Sequence, residues 1–290
     1  MGNLSTMRLL FVPLVIGSLF VLLLILERLR PLRLQLHSLA EVVLNLAVSG
    51  LAFAAAAGVV RPAILASIHW TAQEHFGLVH LVPLPGPLRS VLAFLCMDLA
   101  FYYWHRLSHQ IPVLWRFHNV HHIDPALGVS TSFRFHFGEV ALSAVFRTLQ
   151  VTLIGLDFGV YAAYELAFQA NTLFHHSNVR LPIRLERLLN RVLVTPRMHG
   201  IHHSQVREEN MSNFSVVVPW WDWLHRTMRL NVPQSRIAIG VPGYSRPEDN
   251  RFLRLLVMPF QKQRDYWHGT NGPVERAAAH LGSDRTRLEE

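Results

Sequence analysis

Long apolar runs alternate along the chain with stretches rich in arginine and histidine, and the runs set the architecture. Residues 9–26 read LLFVPLVIGSLFVLLLIL, eighteen positions without a charge. As a helix this run crosses most of a hydrocarbon core of about 30 Å. Its flank at 27–33, ERLRPLR, is basic, and no small-residue cleavage site precedes it, so the pattern predicts a retained anchor rather than a removed signal. Residues 42–60 are mostly Ala, Val and Leu around Asn45, and residues 88–104 carry only Arg89 and Asp98 as charges. Each predicts a further span. Two more runs, 140–156 and 160–174, flank the turn Gly155-Leu156-Asp157-Phe158-Gly159 and contain Arg147, Asp157 and Glu165. They predict a helical hairpin that enters the bilayer and returns on one side.

The expected fold is therefore all-α: an integral membrane helical protein with about three single spans, a helical hairpin and a cytoplasmic, helical, histidine-rich part. Three segments follow: membrane spans and an interfacial segment at 1–87, a central region at 88–230, and a polar C-terminal tail at 231–290. Within the tail, 251–260 (RFLRLLVMPF) is one amphipathic run, and 269–290 has the composition of a frayed or disordered end. Arg28, Arg30 and Arg33 after the first span outnumber Arg8 before it. The positive-inside tendency then puts residue 30 in the cytoplasm, and counting crossings puts every histidine cluster and the C-terminus there too.

Composition narrows the function. The chain has 290 residues, 51% hydrophobic and 16% charged, and a net charge of +8. Of the 27 basic residues 26 are Arg, spread along the chain without any nucleic-acid-binding motif. A basic face on a membrane protein accounts for the charge, and nucleic acid is not an expected partner. The single cysteine, Cys96, excludes an intrachain disulfide and a thiolate metal site. The tryptophans at 220, 221 and 223 suit a membrane interface.

Histidine carries the chemistry. Of eighteen, His37, His69, His75 and His80 show no paired spacing. Eleven more are dense: His105 and His109 in HRLSH, His118, His121 and His122 in HNVHH, His136 in RFHFGE, His175 and His176 in LFHHSNV, and His199, His202 and His203 in HGIHH. Helical residues three or four apart share a face, so H-x-x-H-H reads as three imidazoles presented to one point. Several neutral imidazoles buried together need partners for many ring nitrogens, and a metal supplies them. At least nine clustered histidines exceed what one ion holds, which predicts two ions, one for each H-x-x-H-H. All-imidazole ligation suits Fe, Zn, Cu or Ni rather than Mg or Ca. The chain lacks H-E-x-x-H and the Glu-x-x-His pairs of soluble di-iron bundles. A non-oxygenase membrane metalloprotein, either a zinc-dependent hydrolase or a metal transporter, is the alternative reading, and a purely structural zinc site is a third.

A stripe at spacings of four, three and four joins Asp98, Tyr102, His105 and His109 on one helix face. A carboxylate inside an apolar span needs a partner. The outer nitrogen of a ligating imidazole is the expected one for Asp98. Asp222, Asn178 and Glu139 are further candidates to orient ligands, and Arg134 either pairs with Glu139 or meets lipid phosphate.

The order HRLSH, HNVHH, HHSNV and HGIHHS, the lead DLAFYYWH, the RFHFGE segment and WDWLHRT together resemble the fatty acid hydroxylase superfamily, also called the sterol desaturase family. The resemblance spans about 88–229. It implies a membrane-embedded di-iron oxygenase with two iron ions as cofactor and O2 as co-substrate. Such an enzyme hydroxylates or desaturates a membrane lipid: an acyl chain, sterol or carotenoid. By the same resemblance His105, His109, His118, His121, His122, His176, His199, His202 and His203 are ligands; the spacing and charge described above place Asp98, Tyr102, Asn178 and Asp222 beside them. Some members carry a further histidine four residues before the intermediate one. Here Thr172 and Asn171 stand four before His176 and His175, so the resemblance leaves one ligand fewer, or His136 or His175 in its place. No flavin, iron–sulfur or haem motif is fused to the chain, which implies an external electron donor, a ferredoxin or cytochrome with its reductase.

Overall fold

The computed structural model describes residues 2–269 and 272–275, so most of the end expected to fray lies outside the described residues. Thirteen α-helices run in chain order: α1 (Gly2–Leu29), α2 (Leu39–Ala55), α3 (Arg61–Glu74), α4 (Leu78–Leu81), α5 (Gly86–Gln110), α6 (Pro112–His122), α7 (Phe137–Ile154), α8 (Phe158–His176), α9 (Ile183–Leu189), α10 (Pro196–His202), α11 (Arg207–Asn210), α12 (Trp220–Leu224) and α13 (Phe252–Val257). The one strand pair among the described residues, His268–Gly269 with Gly272–Pro273, leaves the class all-α.

Among the described residues three stretches are long and apolar enough to cross a membrane: Val12–Leu29, Leu39–Leu81 and Phe137–Ile154. Their outward residues, among them Leu14, Val21, Val43, Phe53, Val145 and Leu153, are exposed, which suits lipid as the neighbour. The expected spans at 88–104 and 160–174 do form helices, α5 and α8. Neither reaches the same apolarity, because α5 runs on into YYWHRLSHQ and α8 carries Glu165, Gln169, Asn171 and two histidines.

The second run extends further than its apolar pattern suggests. Ser38 caps α2 by accepting the Glu41 N–H while the Glu41 carboxylate accepts the Ser38 N–H. At Ala55 the helix widens into one π-turn, Ala56–Val60, and continues as α3 to a left-handed cap at His75. The predicted hairpin is formed by α7 and α8. Gly155 ends α7 at φ 79°, and a Cβ there would lie 2.4 Å from the Phe76 carbonyl oxygen, so only glycine fits. The Asp157 carboxylate then caps α8 by accepting the Val160 N–H at 2.9 Å. Between α3, α5, α7 and α8 lies the largest apolar core, including Ile64, Met97, Phe101, Val151 and Tyr164.

Both ends of the chain close onto this bundle. The Glu27 carboxylate accepts the backbone N–H groups of Val129 (2.9 Å) and Asn178 (3.1 Å). Much of the stretch expected as a polar tail is packed instead: Val241, Tyr244, Leu255 and Met258 join Val48, Trp115 and Val120 in a buried cluster. Its few apolar residues fall where α2 and α6 leave an uncovered face, a placement that local composition does not reveal.

Candidate metal centre

Nine imidazoles converge from five places. His105 and His109 lie one turn apart at the end of α5; His118, His121 and His122 end α6; His176 ends α8; His199 and His202 lie on α10, and His203 is its C-cap. They form two buried groups, each with its ligand atoms within 4.8 Å of one another: His105, His109, His118, His122 and His202 in the first, His121, His176, His199 and His203 in the second.

Neither H-x-x-H-H box serves one point, which corrects the reading of three imidazoles aimed together. The first box sends His118 and His122 to the first group and His121 to the second; the second box sends His199 and His203 to the second group and His202 to the first. Helical geometry explains the split. Residues four apart are displaced by about 40° around the axis, whereas the residue three on from the first lies about 60° the other way. Each box therefore fans out by about 100°, enough to straddle two adjacent centres.

In the first group the outer ring nitrogens are held by acceptors. His105 Nδ1 donates to the Phe214 carbonyl (2.8 Å), His109 Nδ1 to Asn210 Oδ1 (3.0 Å), His118 Nδ1 to Glu139 Oε1 (2.8 Å) and His202 Nδ1 to the Ser212 carbonyl (2.7 Å). A ring that donates from Nδ1 keeps its lone pair on Nε2. The Nε2 atoms of His109, His118, His122 and His202 are buried without a protein partner, and leaving such groups unpaired costs about 1–3 kcal/mol each. In the second group Nε2 atoms face one another, at 3.0 Å between His121 and His176, 3.0 Å between His176 and His199, and 3.1 Å between His199 and His203. His176 donates from Nδ1 to the Thr172 carbonyl at 2.8 Å, so its Nε2 meets its neighbours as an acceptor.

Electrostatics agree. Burial first, then the neighbouring rings, lowers His109, His121, His122, His199, His202 and His203 well below the usual imidazole range. Burial likewise takes His105 and His176 to about 3. These eight rings are thereby held in the neutral form, the form that binds metal. Orphaned lone pairs, neutral rings and outer acceptors that fix the tautomer fit two imidazole-bound transition-metal ions.

The remaining expected residues lie as follows. His136 is outside both groups and both its nitrogens are engaged: Nδ1 accepts the Gly138 N–H (2.9 Å) as the cap of α7, and Nε2 meets the Leu256 carbonyl (3.1 Å). His175 also stands apart. Its ring packs 4.1 Å from that of His199, and its Nδ1 faces Asn171, the residue four earlier. Asp98 does not meet an imidazole, contrary to expectation. Its carboxylate accepts the N–H groups of Val217 (3.3 Å) and Val218 (3.1 Å), the Trp221 indole N–H (2.8 Å) and the Tyr164 hydroxyl (3.3 Å). A buried carboxylate takes donors where they are dense, and the turn before α12 supplies two of them and α12 itself a third. Asn178 holds the first span instead of a ring: Oδ1 accepts the Arg33 N–H (2.9 Å) and Nδ2 donates to the Arg33 carbonyl (2.7 Å).

Asp222 reaches the first group through one peptide. It accepts the Phe214 and Ser215 N–H groups at 2.9 and 2.8 Å, and the Phe214 carbonyl holds His105. Tyr102 hydrogen-bonds Thr227 (3.0 Å), whose hydroxyl donates to Asp222 (2.6 Å). Arg134 pairs with neither Glu139 nor solvent but with Val120, Asn45 and Asp124, because it is fully buried. Asn210 was not legible beforehand: it spans His109 Nδ1 and His122 Nδ1 (3.1 Å) and donates to the His202 carbonyl (3.0 Å). It sits in REENMSN, where no spacing marks it.

A cavity of about 660 Å³ opens from both groups into the bundle between α1, α2, α3, α7 and α8. His105, His118, His121, His176 and His199 line its inner end, and Val12, Pro13 and Phe158 its far end.

A family model described as fatty acid hydroxylase matches residues 90–227. The chain is 29% identical over 219 residues to ornithine lipid hydroxylase OlsE of Rhizobium tropici, a match covering 74% of this chain and 63% of that protein. It is 30% identical over 178 residues to alkylglycerol monooxygenase of Danio rerio (61% and 38%) and 28% identical over 156 residues to that of Homo sapiens (53% and 33%). The matches span less than two thirds of the length of each of these relatives. No solved structure matches. The matched segment contains all nine grouped imidazoles and the turn that holds them, and over it the chain resembles the fatty acid hydroxylase family.

Proposed function

We propose that the protein is an O2-dependent di-iron enzyme that hydroxylates or desaturates a membrane lipid. The observation that carries this reading is the union of two buried imidazole groups with a cavity reaching into the membrane helices. His105, His109, His118, His122 and His202 would hold one iron, and His121, His176, His199 and His203 the other. When bound, the irons supply activation of O2, with two electrons per turnover, against an unactivated C–H bond.

The chain's own part is positioning and exclusion of water. Glu139, Asn210 and the Phe214 and Ser212 carbonyls hold protons on the outer ring nitrogens of His118, His109, His105 and His202, so the Nε2 of each of these four stays a lone-pair donor. Phe135 stacks on His121 with centroids 4.6 Å apart, and Phe101 and Trp104 line the cavity beside His105; together they present an apolar wall to a hydrocarbon chain. Hydroxylation of lipids is also what the names of the Rhizobium and Danio relatives suggest. Electrons come from an external donor, a ferredoxin or cytochrome with its reductase. The imidazoles and the C-terminus lie on the cytoplasmic face, and a reporter fused after Glu290 that reads out on the other side would overturn that orientation.

Purified protein should carry about two irons per chain, and lipid extracts from cells with and without the gene should differ by an oxygenated or unsaturated species. Iron-loaded protein that consumes no O2 with reductant and membrane lipid present, together with unchanged lipid extracts, would sink the reading.

A further inference from the structure

The cavity is polar along one side and apolar along the other, although it lies among membrane helices. On α7, Glu139, Ser143 and Arg147 recur at spacings of four and all line it; on α8, Tyr161, Glu165, Gln169, Thr172 and His176 recur at four, four, three and four and line it too. Facing them, α2, the π-turn and α3 contribute Phe53, Ala57, Val60 and Ile64, with the exposed Arg61 as the one charge on that mainly apolar wall. Polar groups among membrane helices are expensive unless they pair with one another or meet something polar.

Some of these groups do pair. Arg147 forms an ion pair with Glu165 and a hydrogen bond with Tyr161, and its guanidinium lies 5.0 Å from the centre of the Phe101 ring. Others do not. The Thr172 hydroxyl is buried without a partner, and the Gln169 carboxamide has no hydrogen bond among the described residues. An apolar cavity with a few convergent polar groups is the usual form of a small-molecule site, and those groups fix the ligand's orientation.

We infer that the cavity takes its lipid by an uncharged hydrogen-bonding group, a hydroxyl, ether or carbonyl oxygen, seated at Gln169 beside the Arg147–Glu165 pair, with the hydrocarbon against α2 and α3. This rests on the proposed reading of the imidazole site for what happens next, though not for the binding itself. The charges lining the cavity, Arg61 and Arg147 against Glu139 and Glu165, already balance, and Arg147 beside Gln169 is paired with Glu165, so a carboxylate arriving there would add an uncompensated charge, whereas an uncharged oxygen meets the Gln169 amide at little cost. Gln169 stands seven residues before His176, about 10 Å along α8. A zigzag chain advances roughly 1.25 Å per bond, so an extended chain presents to the imidazoles a carbon about eight bonds from the polar group. Carbons much nearer the polar group would not reach.

The test is competition for a photoreactive 1-dodecanol carrying a chain diazirine, with the protein as purified, in lipid nanodiscs and without oxygen. The competitors are 1-dodecanol, dodecanoate and dodecane. We expect 1-dodecanol to displace the probe at least tenfold more effectively than either of the others, and Gln169→Leu to shrink that gap at least fivefold. The double variant Arg147→Met/Glu165→Gln, which leaves no lone charge, should do the same; if it does not accumulate, Gln169→Leu decides. Dodecane or dodecanoate competing as well as 1-dodecanol, or an undiminished gap in Gln169→Leu, would overturn the inference. Turnover plays no part without oxygen, so this outcome is independent of whether the site is an oxygenase.

Discussion

His122 and His203 stack with ring centroids 4.3 Å apart and planes at 17°, yet they belong to different imidazole groups. The two centres are thus in van der Waals contact through their own ligands, and each is completed by the box that mainly serves the other.

Single substitutions should follow this crossing rather than the motif. His202→Ala removes a ring from the first group although it lies in the second box, and His121→Ala does the reverse. Each should lower bound metal toward one ion per chain and abolish activity, while leaving membrane insertion intact. Metal analysis with spectroscopy of the remaining ion checks this. Full activity in either variant would sink the two-centre assignment.

Glu139→Gln keeps the shape of the acceptor at His118 Nδ1 but removes its charge. Orienting partners of this kind are typically worth about 10-fold to 100-fold in metal affinity or activity. The larger loss should fall on the first group, whose occupancy at limiting iron should drop more than that of the second. Equal loss at both, or at neither, would contradict the geometry.

Asp98 and Glu165 both lie among membrane helices but do different things. All four partners of Asp98 are donors, so Asp98→Asn turns an amide N–H toward them and leaves buried donors unpaired, at about 1–3 kcal/mol each. The disturbed 214–218 segment carries the His105 acceptor, so metal content should fall with stability. Glu165→Gln leaves Arg147 uncompensated and should lower stability without loss of metal. The same metal content in both variants would remove Asp98 from the support of the site.

His37 and Asp124 form a buried pair at 2.9 Å. Burial pushes the imidazole down, but the Asp124 carboxylate, with help from Glu27 and Glu41, holds it above its ordinary value. A raised folded-state value means the stabilisation is complete below the unfolded value of about 6.5 and is lost as pH rises through the folded one. The midpoint of thermal unfolding should therefore fall more between pH 6 and pH 9 in the wild type than in His37→Gln. Parallel pH profiles would show that the pair does not titrate there.

What the sequence discloses and what it conceals divide along physical lines. Helices α1, α2 and α7 are legible because lipid imposes an apolar length, and the imidazole sites because few other purposes gather so many histidines. Which ring serves which centre depends on a 100° fan and on how α6 meets α10, and only packing fixes that. Asp98 misled for a related reason. The stripe with His105 is real, but the donors that claim its carboxylate come from residues 217–221, more than a hundred positions away. Asn210 and the π-turn carry no local signature at all.

Because the H-x-x-H-H boxes cross, neither ion has a helix of its own. An ion bound by His118, His122 and His202 already draws α6 and α10 together, and so sets His121, His199 and His203 in place for the next one. The ordering is then a cost met largely by the first arrival, which is positive cooperativity without any change of fold. At half-saturating iron, native mass spectra should show fewer singly loaded chains than the half that independent sites would give.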